Sequence, residues 1–378
     1  MSSASRRSAR PRSDDDSLSQ YRRKRSFGET PEPDGVGGSG AKGAPSGRFV
    51  VQQHDATSLH WDLRLERDGA LASWALPRGI PLDPDDDRLA VRTEDHPLEY
   101  LEFHGTIPKG QYGAGEMTIW DRGTYEAEKF EDAKVVARFD GERLRGRYAL
   151  FRISKSGERA DSWLIHRMDP PPEGREAMPE AMRPMLAAKR GKLPDDEESW
   201  AFEVRWSGRR VLAFARPGDL VLRDPEGAEV QTQFPEVRRG GRALGATEAI
   251  LDGVLVAFDG EGRPDRERLE RRLESASDST VRRRARSSPV ALVLFDLPFL
   301  EGRLVCAEPY EERRERLAGL PIDGEIWQAP AHHVGDGAAL LEAGRRRDLD
   351  GIVAKRLGSP YEPGVRSDHW REIGARSR

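Results

Sequence analysis

Residues 54–66 read HDATSLHWDLRLE, placing two histidines, two aspartates, an arginine and a glutamate in a stretch that otherwise alternates like a β-strand. Successive side chains of a strand point to opposite faces. His60, Asp62 and Arg64 therefore share one face, while Trp61, Leu63 and Leu65 share the other and can enter a core. In the preceding segment, RFVVQQH, the same rule aligns Val50, Gln52 and His54. Only the short polar stretch DATSL separates the two segments, so they are expected to pair as a hairpin and let His54, His60 and Asp62 converge. Two imidazoles and a carboxylate are a recurrent ligand set for a catalytic divalent metal with positions left open for water and substrate. Arg64 beside them offers a rigid fork for an anionic oxygen. The plainer alternative is an exposed polar strand face carrying unrelated histidines.

Further along, RLAVRTEDHPLEYLEFHG offers Arg88, Glu94, His96 and Tyr100 for phosphate contact and support of the metal shell. Taken singly, each reads more simply as an ordinary surface or core residue. GTIPKGQYGAGE is rich in glycine, but it lies between strands and reads as a tight turn rather than a phosphate loop.

The elements that must position these residues are short strands. RFVVQQH, HWDLRLE, ALASWAL, RLAVRTE, GEMTIWDRGTYE, RLRGRYALFRIS and DSWLIHRM alternate and are separated by Gly, Pro or Asp turns. That spacing predicts an all-β barrel or sandwich over residues 48–168. Residues 1–47 have the composition of a flexible basic, glycine-rich arm. Eight Lys/Arg stand among residues 1–25 against Asp14, Asp15 and Asp16, a charge run suited to phosphates or simply to solvent. Residues 169–182 form a proline-rich linker. Beyond it, strand patterns such as WAFEVRW and VALVLFDLPFLEG mix with helical patterns such as RERLERRLESA and EERRERLAGL, giving an α+β domain over 183–378. The net charge of −4 excludes a wholly basic nucleic-acid glove, and the single Cys306 excludes an internal disulfide, which fits a reducing cytoplasm. No apolar run is long enough to span a bilayer, and no secretory signal is recognisable.

Five stretches together resemble the 3′-phosphoesterase domain of bacterial ATP-dependent DNA ligase D. They are YRRKRSFGETPEP (21–33), FVVQQHDATSLHWDLRLE (49–66), SWALPRGIPLDP (73–84), RLAVRTEDHPLEY (88–100) and IPKGQYGAGEMTIWDRG (107–123). The resemblance implies a compact β-barrel that trims DNA 3′ ends in nonhomologous end joining, removing a 3′-terminal ribonucleoside and a 3′-phosphate with manganese or a similar divalent ion. It implies that His54, His60 and Asp62 are metal ligands, and that Arg64, Arg88 and His96 contact phosphate. It makes Gln52, Glu94 and Tyr100 supporting positions, and Arg25 and Glu32 functional positions in an arm whose residues 21–33 fold over the site. His96 would donate either a hydrogen bond to phosphate or a proton to the leaving oxygen. Two residues depart from the family pattern: Ser26 stands where an Asp is usual, and Arg78 where a Lys is usual. The first departure bears on the ribonucleoside step, the second on geometry at unchanged charge.

Residues from about Arg183 onward resemble the adenylylation domain of ATP-dependent DNA ligases, through RPMLA, WAFEVRWSGRR, LDGVLVAFD, LVLFDLPFLEGR and DGIVAKR. In that family a lysine in K-x-D-G-x-R attacks ATP. Here Arg205 takes the lysine's place and Ser207 the aspartate's. Val254 stands where an acid should follow LDG, and Trp370 is followed by Arg371, Glu372 and Ile373 rather than lysines, although Lys355 and Asp296 survive. Arginine stays protonated and offers no lone pair for attack. The expectation is a degenerate ligase domain, lacking the OB-fold lobe and needing no ATP. The expected partners are DNA 3′ ends, a Ku-type end binder and a separate ligase or polymerase, in the cytoplasm and associated with the nucleoid. A non-enzymatic DNA-end scaffold is the competing reading, but it gives no reason for an intact His54, His60 and Asp62 set.

Overall fold

The computed structural model describes residues 18–35, 44–154, 160–274, 276–322 and 324–374. Two compact units meet at Pro172 and Glu173. Residues 1–17 and 36–43 of the expected basic arm lie outside the described residues.

Among the described residues, the first element of the first unit is the short helix α1 (Ser19–Arg23). Nine strands follow: β1 (Ser46–Asp55), β2 (Leu59–Arg67), β3 (Ala70–Leu76), β4 (Arg88–Arg92), β5 (Gly105–Ile107), β6 (Gly115–Glu131), β7 (Lys134–Gly141), β8 (Arg145–Arg152) and β9 (Ser162–Arg167). Their order is β1-β2-β3-β4-β9-β8-β7-β6, and β6 pairs back onto β1. Eight antiparallel strands thus close into a barrel with no free edge among them, and β5 adds to β6. One face of β1 and β2 carries Phe49, Val51, Trp61, Leu63 and Leu65, all buried, as the alternation predicts.

The opposite face of the same strands is buried as well. Val50 packs with Tyr21, Leu71, Tyr100, Leu101, Ile107 and Met117. This second layer comes from α1 and from the segment after β4, which holds the 3₁₀ turn Leu98–Leu101. Strands whose outer face is covered can hold polar groups out of water, and the site lies on that face.

The second unit contains β10 (Leu186–Lys189), β11 (Trp200–Val204), β12 (Arg209–Arg216), β13 (Asp219–Arg223), α2 (Pro235–Gly240), β14 (Ala249–Ala257), α3 (Arg266–Leu273), α4 (Asp278–Ser287), β15 (Val290–Leu300) and β16 (Arg303–Leu304). It continues with α5 (Tyr310–Ala318), β17 (Trp327–Gln328), β18 (His333–Val334), α6 (Gly337–Arg346), β19 (Gly351–Arg356) and β20 (Arg366–Gly374). One sheet runs β10-β20-β19-β11-β18, the other β13-β12-β14-β15-β16 with β17 beside β15. The α+β architecture agrees with the sequence pattern. Asp265 caps α3 by accepting from the Arg268 N–H at 3.0 Å. Within the proline-rich stretch, Met178 and Met182 pack against Leu212, Phe214, Ile250 and Phe299, so the later part of that stretch belongs to this unit's core.

Candidate metal centre

β1 and β2 pair so that His54 faces His60, Gln52 faces Asp62, and Val50 faces Arg64. The tight hairpin fixes this register, and period two puts all five polar side chains on the covered face. The ligand atoms of His54, His60 and Asp62 lie within 4.8 Å of one another. His54 Nδ1 is 3.8 Å from Asp62 Oδ2, and His60 Nε2 is 3.8 Å from Asp62 Oδ1.

The remaining ring nitrogens decide which tautomers are present. His54 Nε2 donates to the Gly113 carbonyl at 2.8 Å, and His60 Nδ1 donates to the Ser58 carbonyl at 2.9 Å. A carbonyl oxygen only accepts, so each of these nitrogens carries the proton. Both lone pairs are left on the nitrogens that face Asp62. A histidine that binds a metal is usually oriented by this kind of bond to its far nitrogen. Burial, only partly offset by Asp62, holds the His54 imidazole below its ordinary range, which keeps it in the neutral, ligating form. The donor set therefore fits a divalent cation.

Arg64 is buried and secured on three sides. Its Nε donates to Gln52 Oε1 at 2.7 Å, its two terminal nitrogens donate to Ser73 Oγ at 3.1 Å and to Asp62 Oδ2 at 2.8 Å, and its guanidinium lies 4.8 Å from the Tyr100 ring centre. Gln52 is anchored in turn by donating to the Tyr100 and Phe103 carbonyls at 3.0 and 2.8 Å. Arg64 thus orients Asp62 and leaves Oδ1 turned toward His60.

A second network reaches the site from residues 18–35. Arg25 pairs with Glu32 at 2.6 Å and with Glu94 at 3.2 Å, and one terminal nitrogen lies 3.4 Å from His96 Nε2. Tyr100 donates to Glu32, and Lys24 pairs with Glu94 at 2.9 Å. Burial would raise the Glu94 carboxyl, but Lys24 and Arg25 outweigh it and hold the group below the usual range. His96 Nδ1 donates to the Glu94 carbonyl at 2.9 Å, so Nε2 accepts from Arg25. Burial, then Arg64 and Arg25, push the His96 imidazole well below its ordinary range.

Arg88 stands apart. It is buried on β4, where its guanidinium holds Asp86 at 2.6 Å and donates to the Arg78 and Ile80 carbonyls. None of these groups belongs to the His54, His60 and Asp62 cluster. Arg78 is placed by the backbone contact to Arg88. Sequence reasoning missed Gly113, Ser58 and Ser73, two of which act through backbone carbonyls. The only trace of the first is the glycine pattern of its turn, where Gly113 has φ +77.

In the second unit, Lys355, Glu203, Phe295, Trp370, Arg205 and Val254 are among the residues lining a cleft of about 190 Å³. Lys355 Nζ bonds Glu203 at 2.7 Å and the Phe295 carbonyl at 3.0 Å. Burial pushes its ammonium down despite Glu203. Arg205 is half-exposed, 3.6 Å from the Glu372 carboxylate. Val254 lies opposite Arg210, whose guanidinium is taken by Asp252 through two bonds of 2.6 Å. Ser207 lies in the turn before β12 and lines a separate polar cleft with Asp259 and Asp265.

Fold and site define a class: a β-barrel bearing a candidate metal centre, followed by an α+β unit of nucleotidyltransferase type. The family described as the DNA ligase D 3′-phosphoesterase domain matches residues 52–152, and the ATP dependent DNA ligase domain matches residues 184–373. The chain belongs to the ligase D family, with a 3′-phosphoesterase domain followed by an ATP-dependent DNA ligase domain. It is 39% identical over 366 residues to the multifunctional non-homologous end joining protein LigD of Mycolicibacterium smegmatis, covering 94% of this chain and 45% of that protein. It is 34% identical over 412 residues to the protein of the same name from Pseudomonas aeruginosa, covering 96% and 47%. The ligase domain of M. tuberculosis LigD aligns at 30% identity over 51% of this chain and 59% of that one, with a TM-score of 0.44, too loose to argue from. The chain spans a little under half the length of the curated relatives it matches.

Proposed function

We propose that the first unit is a metal-dependent phosphoesterase that heals DNA 3′ ends in nonhomologous end joining, chiefly by removing a 3′-phosphate. The observation that carries this reading is the convergence of two imidazole lone pairs on one carboxylate, each ring held in the ligating tautomer by a backbone carbonyl. His54, His60 and Asp62 would hold a divalent cation, with Mn²⁺ the first choice. When bound, such a cation polarises a phosphate oxygen and lowers the pKa of a coordinated water.

The chain's own residues supply the rest. Arg64 keeps Asp62 aimed at the cation, and Gln52 and Ser73 keep Arg64 in place. Lys24 and Arg25 stand beside the site paired with Glu94 and Glu32, and a phosphate whose negative charge grows as phosphorus is attacked would compete with those carboxylates for them. His96, neutral with its proton on Nδ1, orients Arg25; protonating a leaving oxygen would require the proton on Nε2 instead. Arg88 acts by holding the Arg78–Ile80 backbone rather than by touching phosphate. Ser26 removes a carboxylate from the arm, so ribonucleoside removal is the weaker activity.

The second unit is proposed to be inactive in ligation. Arg205 cannot form a phosphoramidate with AMP, and Val254 offers no ligand to a metal. End trimming then needs no ATP. A Ku-type protein and a separate ligase or polymerase would complete the repair, in the cytoplasm at the nucleoid.

The test is a primer–template with a 3′-phosphate, incubated with Mn²⁺ and, separately, with EDTA. The reading expects a 3′-hydroxyl only with the metal, and no product from His60→Ala. Full turnover by that variant refutes the site, while end binding without any turnover favours the scaffold reading.

A further inference from the structure

We infer that Tyr112 is the platform on which the last base of the DNA 3′ end stacks, an inference that deepens the end-healing reading above and rests on it. Tyr112 is 50% exposed and is the one aromatic among the exposed large apolar side chains of the described residues. Its position is set by a turn. The Ala114 N–H donates to the Gln111 carbonyl at 3.2 Å, and Gly113, third in the turn, takes φ +77, which side-chain-bearing residues rarely adopt. The turn leaves Tyr112 at its outer corner while the Gly113 carbonyl points inward to His54 Nε2 at 2.8 Å. The exposed ring and a candidate metal ligand are therefore fixed by neighbouring residues.

Cations lie against the ring from residues 18–35. Lys24 Nζ is 4.5 Å from the ring centre and donates to the hydroxyl at 3.2 Å, and the Arg25 guanidinium carbon is 5.5 Å from the centre. Gln111 ties the turn to the same segment by donating to Glu29 at 2.8 Å. Tyr112 thus stands at the edge of the site, between His54 and the Arg25–His96 network. A half-exposed aromatic ring with cations already over it suits a nucleobase stacked on its exposed side and followed by its phosphate. Stacking on such a face tolerates any base, which an enzyme acting on broken ends of arbitrary sequence requires. The plainer role for Tyr112, a clamp on Lys24 through its hydroxyl, predicts different variants to fail.

The probe is a primer–template whose 3′-terminal nucleotide is 2-aminopurine, titrated with the full chain in EDTA so that binding is read without turnover. We expect the fluorescence to be quenched on binding, and Tyr112→Ala to lose the quench and bind roughly tenfold more weakly. Tyr112→Phe and Tyr112→Trp should keep both. The inference is overturned if the unsubstituted protein gives no quench, if Tyr112→Ala quenches as well as it does, or if Tyr112→Phe fails as badly as Tyr112→Ala. Manganese-dependent turnover of a 3′-phosphate, measured in parallel, separates the two claims. Turnover without quench sinks the stacking platform alone, and quench without turnover sinks the phosphoesterase reading alone.

Discussion

His54 and His60 stand directly opposite each other across β1 and β2, with ring centres 4.7 Å apart and planes tilted by 54°. The two imidazoles gain little from each other in this arrangement. A cation gains two fixed donors and, from Asp62, a compensating charge.

Asp62 depends on Arg64 for its aim. Arg64→Lys replaces a three-way fork with a single ammonium, which cannot reach Asp62, Gln52 and Ser73 together. Because the charge stays but the buried bonds to Gln52 and Ser73 are lost, the variant should lose about 1–3 kcal/mol of stability. Its Mn²⁺ affinity should fall by roughly 10- to 100-fold. Urea denaturation and calorimetric titration read the two effects, and unchanged affinity would show that Asp62 needs no such support.

His96 gives a pH dependence with a definite sign. Above about pH 6.5 it is neutral both folded and unfolded. As the pH falls through that value the unfolded chain takes up a proton that the buried, cation-flanked imidazole refuses, so unfolding is favoured. The metal-free protein should lose stability between pH 6.5 and about 5, before the carboxylates titrate. His54 acts in the same direction. His96→Asn should flatten this profile in denaturation midpoints measured at several pH values; an unaltered profile would remove His96 as the cause.

Much of this arrangement was legible in the sequence, and the limits are physical. Alternation gave the barrel strands and put His60, Asp62 and Arg64 on one face, because a strand's period is local. It said nothing of what covers that face. The cover depends on contacts such as Arg25 with Glu94, 69 residues apart, which no local pattern encodes. The carbonyls of Ser58 and Gly113 are backbone atoms without a residue signature. Arg88 carries the right charge for phosphate, and on β4 it also holds Asp86 and a loop carbonyl, partners that its charge alone does not foretell. In the second unit, α4 is hard to read from sequence because its only apolar residues are Val281 and Ala285 and it buries none of its side chains.

Lys355 is built into the core of the second unit through its buried pair with Glu203. Lys355→Met leaves the Glu203 carboxylate with the Tyr310 hydroxyl at 2.7 Å and Arg314 at 3.6 Å. Stability should fall by about 3 kcal/mol. Adding Glu203→Gln should recover much of it, a coupling that a double-mutant cycle measures directly. Independent, additive losses would contradict a paired role.

Under the proposed inactive-ligase reading, incubation with labelled ATP should leave no AMP on the protein, and Arg205→Lys alone should not restore it, because that reading also counts Val254 and Ser207 as lost catalytic positions. Covalent label on the unsubstituted chain would overturn the inactive-ligase reading at once.

Anomalous X-ray scattering from crystals soaked in Mn²⁺ tests the central claim most directly. One peak should appear within bonding distance of His54 Nδ1, His60 Nε2 and Asp62 Oδ1, and Asp62→Asn should weaken or abolish it. A peak elsewhere, or none at saturating Mn²⁺, would mean that these three side chains hold no metal.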